Sequence, residues 1–193
     1  MDGNLEDRLT APMITTERLI LRPWKNEDLV PYAEMNADPR VREFFPSVLS
    51  REQSDAEVRH YQATYDRDGF CVLAAELIAT SEFIGFIGLQ TMNFVVPSLP
   101  QPAVEIGWRL SHRHWGKGLA TEGARGVICY AFGTLQLAKV VAITVPANVR
   151  SRNVMGKIGM KHFPELDFDH PRIPEGHPMR RHVLYSLSKA AAS

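Results

Sequence analysis

Cysteine is scarce in this chain of 193 residues. Only Cys71 and Cys129 occur, and both stand in apolar runs. That excludes a small disulfide-stapled scaffold, and it predicts two buried, reduced thiols in a cytoplasmic setting. Excess charge of either sign is also missing. The 22 basic residues balance 22 acidic ones, which argues against a nucleic-acid footprint, since that needs clustered positive charge. No apolar run approaches the ~20 residues of a membrane span, so no membrane partner is expected. The first residues lack the apolar centre of a signal peptide.

What is present is ordinary globular material. Hydrophobic residues make up 45% of the chain and charged residues 23%. The length suits one domain with its own core. Residues 1–14 read as a flexible leader and 15–193 as a single domain. The pattern predicts a strand at Arg18–Arg22, then a capped helix through Leu29, Tyr32 and Met35. A second helix is predicted over Ser50–Asp66, with Ser54 as its cap. Phe70–Ile78 and Phe83–Leu89 read as a hairpin. Phe94–Pro102, with three prolines, reads as a loop. Val104–Leu110 and Val140–Val145 read as strands. Leu119–Phe132 reads as an amphipathic helix closed by Gly133, and Ser151–Lys157 as a short helix stopped by Gly159. Phe163–Arg181 is rich in proline and histidine and is expected to be a long loop before a last strand at Val183–Leu187. The class is therefore α/β or α+β with a mixed sheet.

The segment Arg113-His114-Trp115-Gly116-Lys117-Gly118-Leu119-Ala120 lies between a predicted strand and a predicted helix. Its two glycines permit backbone conformations that a Cβ opposes. Amides at a helix start, aided by the helix dipole, bind anions such as a pyrophosphate. The third glycine of a dinucleotide fingerprint is missing, and so is the Lys-Ser/Thr pair of a Walker loop.

Arg113-x-x-Gly116-x-Gly118 resembles the coenzyme A loop of the GNAT acetyltransferases. Glu105-Ile-Gly-Trp-Arg-Leu followed by Trp115-Gly-Lys-Gly-Leu-Ala-Thr-Glu resembles the RimJ/RimL-type branch. Asn148-x-x-Ser151 with Lys157-Ile-Gly159-Met160 resembles the next block of that family. Phe83-Ile-Gly-Phe-Ile-Gly-Leu89 resembles its third strand and Thr16–Pro23 its first. The resemblance implies a single domain with a mixed, mostly antiparallel sheet, flanking helices and a splay between its fourth and fifth strands. It implies transfer of an acetyl group from acetyl-CoA to a primary amine, by direct attack in a ternary complex. The acceptor would be a small-molecule amine or a protein N-terminus, and a homodimer is compatible with it. The alternative is a coenzyme A-binding sensor or scaffold with little catalysis.

The resemblance also suggests roles. Trp108, Leu110, Arg113, His114, Trp115, Gly116, Lys117, Gly118, Leu119 and Ala120 would hold the cofactor, together with Asn148 and Ser151. A backbone amide between Trp108 and Leu110 would polarise the thioester carbonyl. Alternation along Val104–Leu110 puts Glu105, Gly107 and Arg109 on one face. Glu105 there is the candidate general base, with a salt bridge to Arg109 or to a neighbouring strand as the structural alternative. Ser151 is the candidate for hydrogen bonding the departing thiolate, or merely part of a capped helix. Many relatives carry a tyrosine acid four residues beyond that serine, where this chain has Met155. Trp24 and Phe45 are candidates for the acceptor entrance. His112 and His114 lack a third ligand and His170, His177 and His182 are separated by prolines, so no metal is expected.

Overall fold

The computed structural model describes residues 12–96 and 99–192. Most of the expected leader, residues 1–11, and Pro97 and Ser98 of the proline-rich loop lie outside the described residues. Ile14 already pairs with Leu21, so the sheet begins one residue before the boundary read from sequence.

The chain builds nine strands, the longer ones largely buried on both faces, and five helices among the described residues. The order is β1 (Ile14–Thr15), β2 (Leu19–Arg22), α1 (Leu29–Ala37), α2 (Arg51–Asp68), β3 (Val72–Leu77), β4 (Phe83–Thr91) and β5 (Val104–Leu110). There follow α3 (Leu119–Gly133), β6 (Lys139–Thr144), α4 (Val149–Lys157), β7 (Lys161–His162), β8 (Phe168–Asp169), β9 (Arg181–Ser188) and α5 (Lys189–Ala192). The sheet runs β1-β2-β3-β4-β5-β6-β9-β7, and β8 pairs with the outer side of β9. Every pairing is antiparallel except β5 with β6. Gly85 in β4 lies against β5, and a Cβ there would stand 2.1 Å from the Arg109 carbonyl oxygen.

Two layers cover the sheet. One core joins Leu119, Ala124, Val127 and Ala131 of α3, and Met155 of α4, to Leu73, Ile87, Ile106 and Leu110. On the opposite face Tyr32 and Met35 of α1, with Val58 and Tyr61 of α2, meet Trp24, Val72 and Phe86. Burial of a large apolar side chain contributes about 1.5–3 kcal/mol, so these layers fix the strand framework. Arg22, 6% exposed, is held by carboxylates. Asp28 receives two of its N–H groups at 2.7 and 2.9 Å, and Glu76 receives Nε at 2.6 Å.

Several sequence expectations are corrected. The α2 cap is Ser50, which accepts from the Gln53 amide; Ser54 is buried and accepts from Asn36 Nδ2. Gly133 is the last residue of α3, and Thr134 ends the helix. Cys71 is buried but Cys129 is exposed. An apolar run in a helix does not share one face: at 3.6 residues per turn, Cys129 points away from the side presented by Val127, Ile128 and Ala131. The long loop Phe163–Arg181 holds a short helical turn and β8. It is organised by rings, with Phe94 and His170 centroids 4.5 Å apart and those of His170 and His182 4.9 Å apart.

Candidate active site

β5 and β6 share a single bridge, Glu105 with Val141. Beyond it the two parallel strands diverge, while β5 remains paired with β4 through Leu110. The candidate site is this wedge, with Glu105 at its vertex and a glycine loop at the open end of β5.

The loop is a backbone device. A turn over His112–His114 leads to Gly116 at φ +73° and Gly118 at φ +80°, both in the left-handed region. Gly118 is the N-cap of α3 and has no side chain with which to cap it. The first-turn amides therefore lack the usual side-chain acceptor. The space around a Cβ at Gly116 is open, and at Gly118 the nearest atom is Arg18 Nη2 at 3.6 Å. Arg18, in the turn between β1 and β2, clamps the loop. Its Nη1 donates to the Lys117 carbonyl at 3.0 Å, and its Nε donates to Glu122 of α3 at 2.7 Å. Thr16 Oγ1 and the Arg18 amide donate to the other Glu122 oxygen. Trp115 Nε1 donates to the Leu110 carbonyl at 2.8 Å, joining the loop to the end of β5.

Glu105 is half-buried and accepts from Gln90 Nε2 across the β4–β5 pair at 3.0 Å. Burial pushes its carboxyl up to about 7, while the Gln90 bond pulls the other way. Arg109 is engaged elsewhere. Its Nη1 donates to Tyr32 Oη at 3.3 Å, Asn36 Oδ1 at 2.8 Å and Glu57 Oε2 at 3.2 Å. The salt bridge weighed as the structural role of Glu105 is thus taken by Glu57 of α2.

Across the wedge, Asn148 caps α4. Its Oδ1 accepts from the Ser151 amide at 3.1 Å and its Nδ2 donates to Thr144 Oγ1 at 3.0 Å. Ser151 is half-buried in the first turn. Met155 is 1% exposed and belongs to the core. Arg150 places its guanidinium 4.5 Å from the Trp115 ring centroid and pairs with Glu43, linking α4 to both the loop and the α1–α2 connection. Beside that connection lies a cleft of about 390 Å³, walled by Phe44, Val145, Pro146, Pro178 and Met179, with Glu43 and Arg181 supplying opposite charges.

Comparison with known proteins fits this arrangement. Residues 18–161 match the sequence model of the acetyltransferase (GNAT) domain. The chain belongs to the GNAT acetyltransferase family. It is 30% identical over 191 residues to the FsC-acetyl coenzyme A-N(2)-transacetylase of Aspergillus fumigatus, covering 92% of this chain and 77% of that protein. The crystal structure of an acetyltransferase from Agrobacterium tumefaciens superposes with a TM-score of 0.75 at 28% identity, over 96% of this chain and 99% of that one. Mycobacterium smegmatis RimJ in complex with CoA-disulfide shares the fold, with a TM-score of 0.69 at 19% identity, over 92% of this chain and 88% of that one. This GNAT chain is an acyltransferase by family, and its fold is the one the RimJ/RimL-type resemblance implied.

Within that GNAT frame the suggested cofactor residues divide. Gly116, Lys117, Gly118 and Ala120 form the loop and the opening of α3, whereas the Leu119 side chain is core. Trp108 is half-buried against the α3 core and Leu110 lies within it. The Arg113 side chain turns outward and pairs with Glu82 of the β3–β4 turn. His114 is 5% exposed, bonds Ser111 Oγ through Nδ1 at 2.7 Å, and is held by burial below the usual imidazole range. Trp24 is core, with Nε1 donating to the Val72 carbonyl, while Phe45 is exposed on the α1–α2 connection. Sequence reasoning missed Arg18, Glu122 and Gln90. Arg18 and Glu122 lay inside quoted motifs, but only as strand and helix residues. Gln90 is recognisable only through its register opposite Glu105. Among the described residues no group of three or more His, Cys, Asp or Glu is placed to hold a metal, and no helix is long and apolar enough to cross a membrane.

Proposed function

We propose that the chain is an N-acetyltransferase acting in the cytoplasm, which moves the acetyl group of acetyl-CoA to a primary amine by direct attack in a ternary complex. The observation that carries this reading is the single Glu105–Val141 bridge, with the glycine loop at the open end of the wedge. A pyrophosphate fits the amides from Gly116 to Ala120, where the helix dipole favours negative charge. The pantetheine arm then runs into the wedge, and the thioester meets the backbone of Trp108–Leu110. The amine attacks the thioester carbon, the C–N bond forms and the C–S bond breaks. The amine proton passes to Glu105, directly or through water, and the thiolate departs beside Ser151. A carboxyl near 7 is matched to accepting a proton at neutral pH. The acceptor, a small-molecule amine or a protein N-terminus, enters through the cleft under Phe44. The name of the Aspergillus relative, with acetyl coenzyme A and an N(2) position, supports both donor and acceptor chemistry. The test is thiol release from acetyl-CoA with a panel of primary amines. Tight coenzyme A binding without release by any amine would overturn the reading.

A further inference from the structure

The acceptor side of β5 carries more buried positive charge than it neutralises. Arg42 is 8% exposed and the Arg109 side chain 10%. Both guanidinium groups lie against one ring, Phe45, at 4.2 and 4.5 Å from its centroid. The carboxylate bonded within this cluster is Glu57, which also accepts from Tyr32 Oη. The two tyrosines add no negative charge. Burial holds the Tyr32 hydroxyl well above its ordinary value and pushes Tyr61 up to about 12. Burial, joined by the Arg109 charge, pulls Arg42 down to about 10, so it remains charged at neutral pH. Arg22 is the contrast within the same fold: one buried guanidinium there has two carboxylates, Asp28 and Glu76. Two guanidiniums sharing one carboxylate leave a positive charge, and an uncompensated buried charge is costly.

Hydrogen bonding is incomplete in the same place. Arg109 Nε is buried without a partner, although its Nη1 serves three acceptors. Arg42 gives Nε to the Ser47 carbonyl at 2.9 Å. Nearly every buried donor in a native protein finds an acceptor, so an unpaired one beside excess charge points to an absent anion. The position is suited to a ligand. Arg109 shares its face of β5 with Glu105 and Gly107. Phe45 is 36% exposed and Glu57 30%, so the cluster reaches solvent under a connecting segment rather than a helix.

We propose that the acceptor amine also carries a carboxylate, and that Arg42 and Arg109, spaced by the Phe45 ring, recognise it. This rests on the transferase reading and names its substrate class. Planar guanidinium groups match a carboxylate in charge and geometry. The reacting amine then points along β5 toward Glu105.

Thiol release is measured with ω-amino acids of increasing length and with their neutral amides. The expected kcat/KM favours the acid by roughly ten- to a hundredfold at the fitting length, as for a hydrogen bond to a charged group. Arg42→Gln should bring that preference within about twofold of unity. Phe45→Ala, at an exposed position, should lower the same preference and guards against misfolding of the arginine variant. N-acetylated acids and amides titrated into the coenzyme A-loaded protein read the site without turnover. Equal binding of acid and amide, or equal rates at every length, overturns this proposal. Transfer to neutral amines in that case leaves the transferase reading intact.

Discussion

The loop at the end of β5 and the connection between α1 and α2 flank the same strand and are built differently. The loop uses backbone: two positive-φ glycines, the first amides of α3, and an arginine from the β1–β2 turn that grips a carbonyl. The α1–α2 side uses side chains. Tyr32, Asn36, Arg42, Phe45, Glu57 and Arg109 come from four stretches of chain and meet only in three dimensions. On the proposed reading, the backbone site holds what every donor molecule shares, a pyrophosphate, and the side-chain site discriminates among acceptors. The largest effects should therefore come from glycine on one side, and the most selective ones from charge on the other.

Gly118→Val should produce the largest loss. A Cβ at this position meets only Arg18 Nη2 at 3.6 Å, so the damage comes from φ +80° rather than from crowding. A β-branched residue in the left-handed region is strained. The N-cap shifts and the first-turn amides no longer converge. Loss of two or so charge-assisted hydrogen bonds corresponds to about a hundredfold weaker coenzyme A binding or more. Calorimetry measures it, and unchanged affinity would remove the loop from the cofactor site.

Glu105→Gln comes next, with kcat down by about a hundredfold. Because the wild-type carboxyl sits near 7, its rate should rise as the pH passes through 7, and the variant should lose that rise. The sign for stability is opposite. A folded-state value raised from 4.5 to about 7 favours the protonated protein, and this contribution is lost as pH rises through 7. The amide has no proton to lose. Its melting temperature should stay level over that range while that of the wild type falls. A wild-type rate profile flat through 7 would show that the amine is deprotonated elsewhere.

The contrast also explains what the sequence made legible. Gly116 and Gly118 could be found because a backbone site needs a short contiguous motif. The same holds for the strand that Glu105 shares with Gly107, since alternation is local. The arginine cluster offers no such spacing: α2, β3 and β4 lie between Arg42 and Arg109 along the chain. Side-chain direction was the other blind spot. Arg113 sits in the motif but turns to Glu82. Met155 occupies the position of the familiar tyrosine, yet it is sealed in the α3–α4 core. Met155→Tyr should therefore overpack that core, at a cost of about 1–3 kcal/mol, rather than bring a hydroxyl to the sulfur. Ser50 is legible as a cap, with Gln53 three residues on, and that capping box is a better guide than Ser54 alone.

Ser151→Ala separates capping from chemistry on the α4 side. The cap is made by Asn148 Oδ1 and the Ser151 amide, and neither is altered by removing the hydroxyl. Helix stability should stay within about 0.5 kcal/mol. Single-turnover transfer at saturating acetyl-CoA should fall roughly ten- to a hundredfold, as one hydrogen bond to a charged acceptor is lost. An unchanged rate would leave the thiolate to solvent.

Arg150 joins the two sides, and its removal should give the smallest effect and the most specific one. Its guanidinium covers Trp115 of the loop, lies 5.5 Å from the Phe44 ring of the cleft wall, and pairs with Glu43. The side chains of the pair are 55% and 50% exposed, so solvent screens the charge and global stability should barely move. The geometry of the wall is another matter. Without Arg150 the segment bearing Glu43 and Phe44 loses its tie to α4, and the acceptor must order it on binding. An exposed ion pair and an exposed ring contact contribute about 0.5–1 kcal/mol. Arg150→Ala should then raise the acceptor KM about two- to fivefold, with kcat nearly unchanged. Glu43→Ala should give the same rise, and the double variant no more than either alone, because both break one tie. High salt should shrink the wild-type advantage. Additive effects of the two substitutions would show that Glu43 and Arg150 act separately, and that the donor and acceptor sides are not coupled through α4.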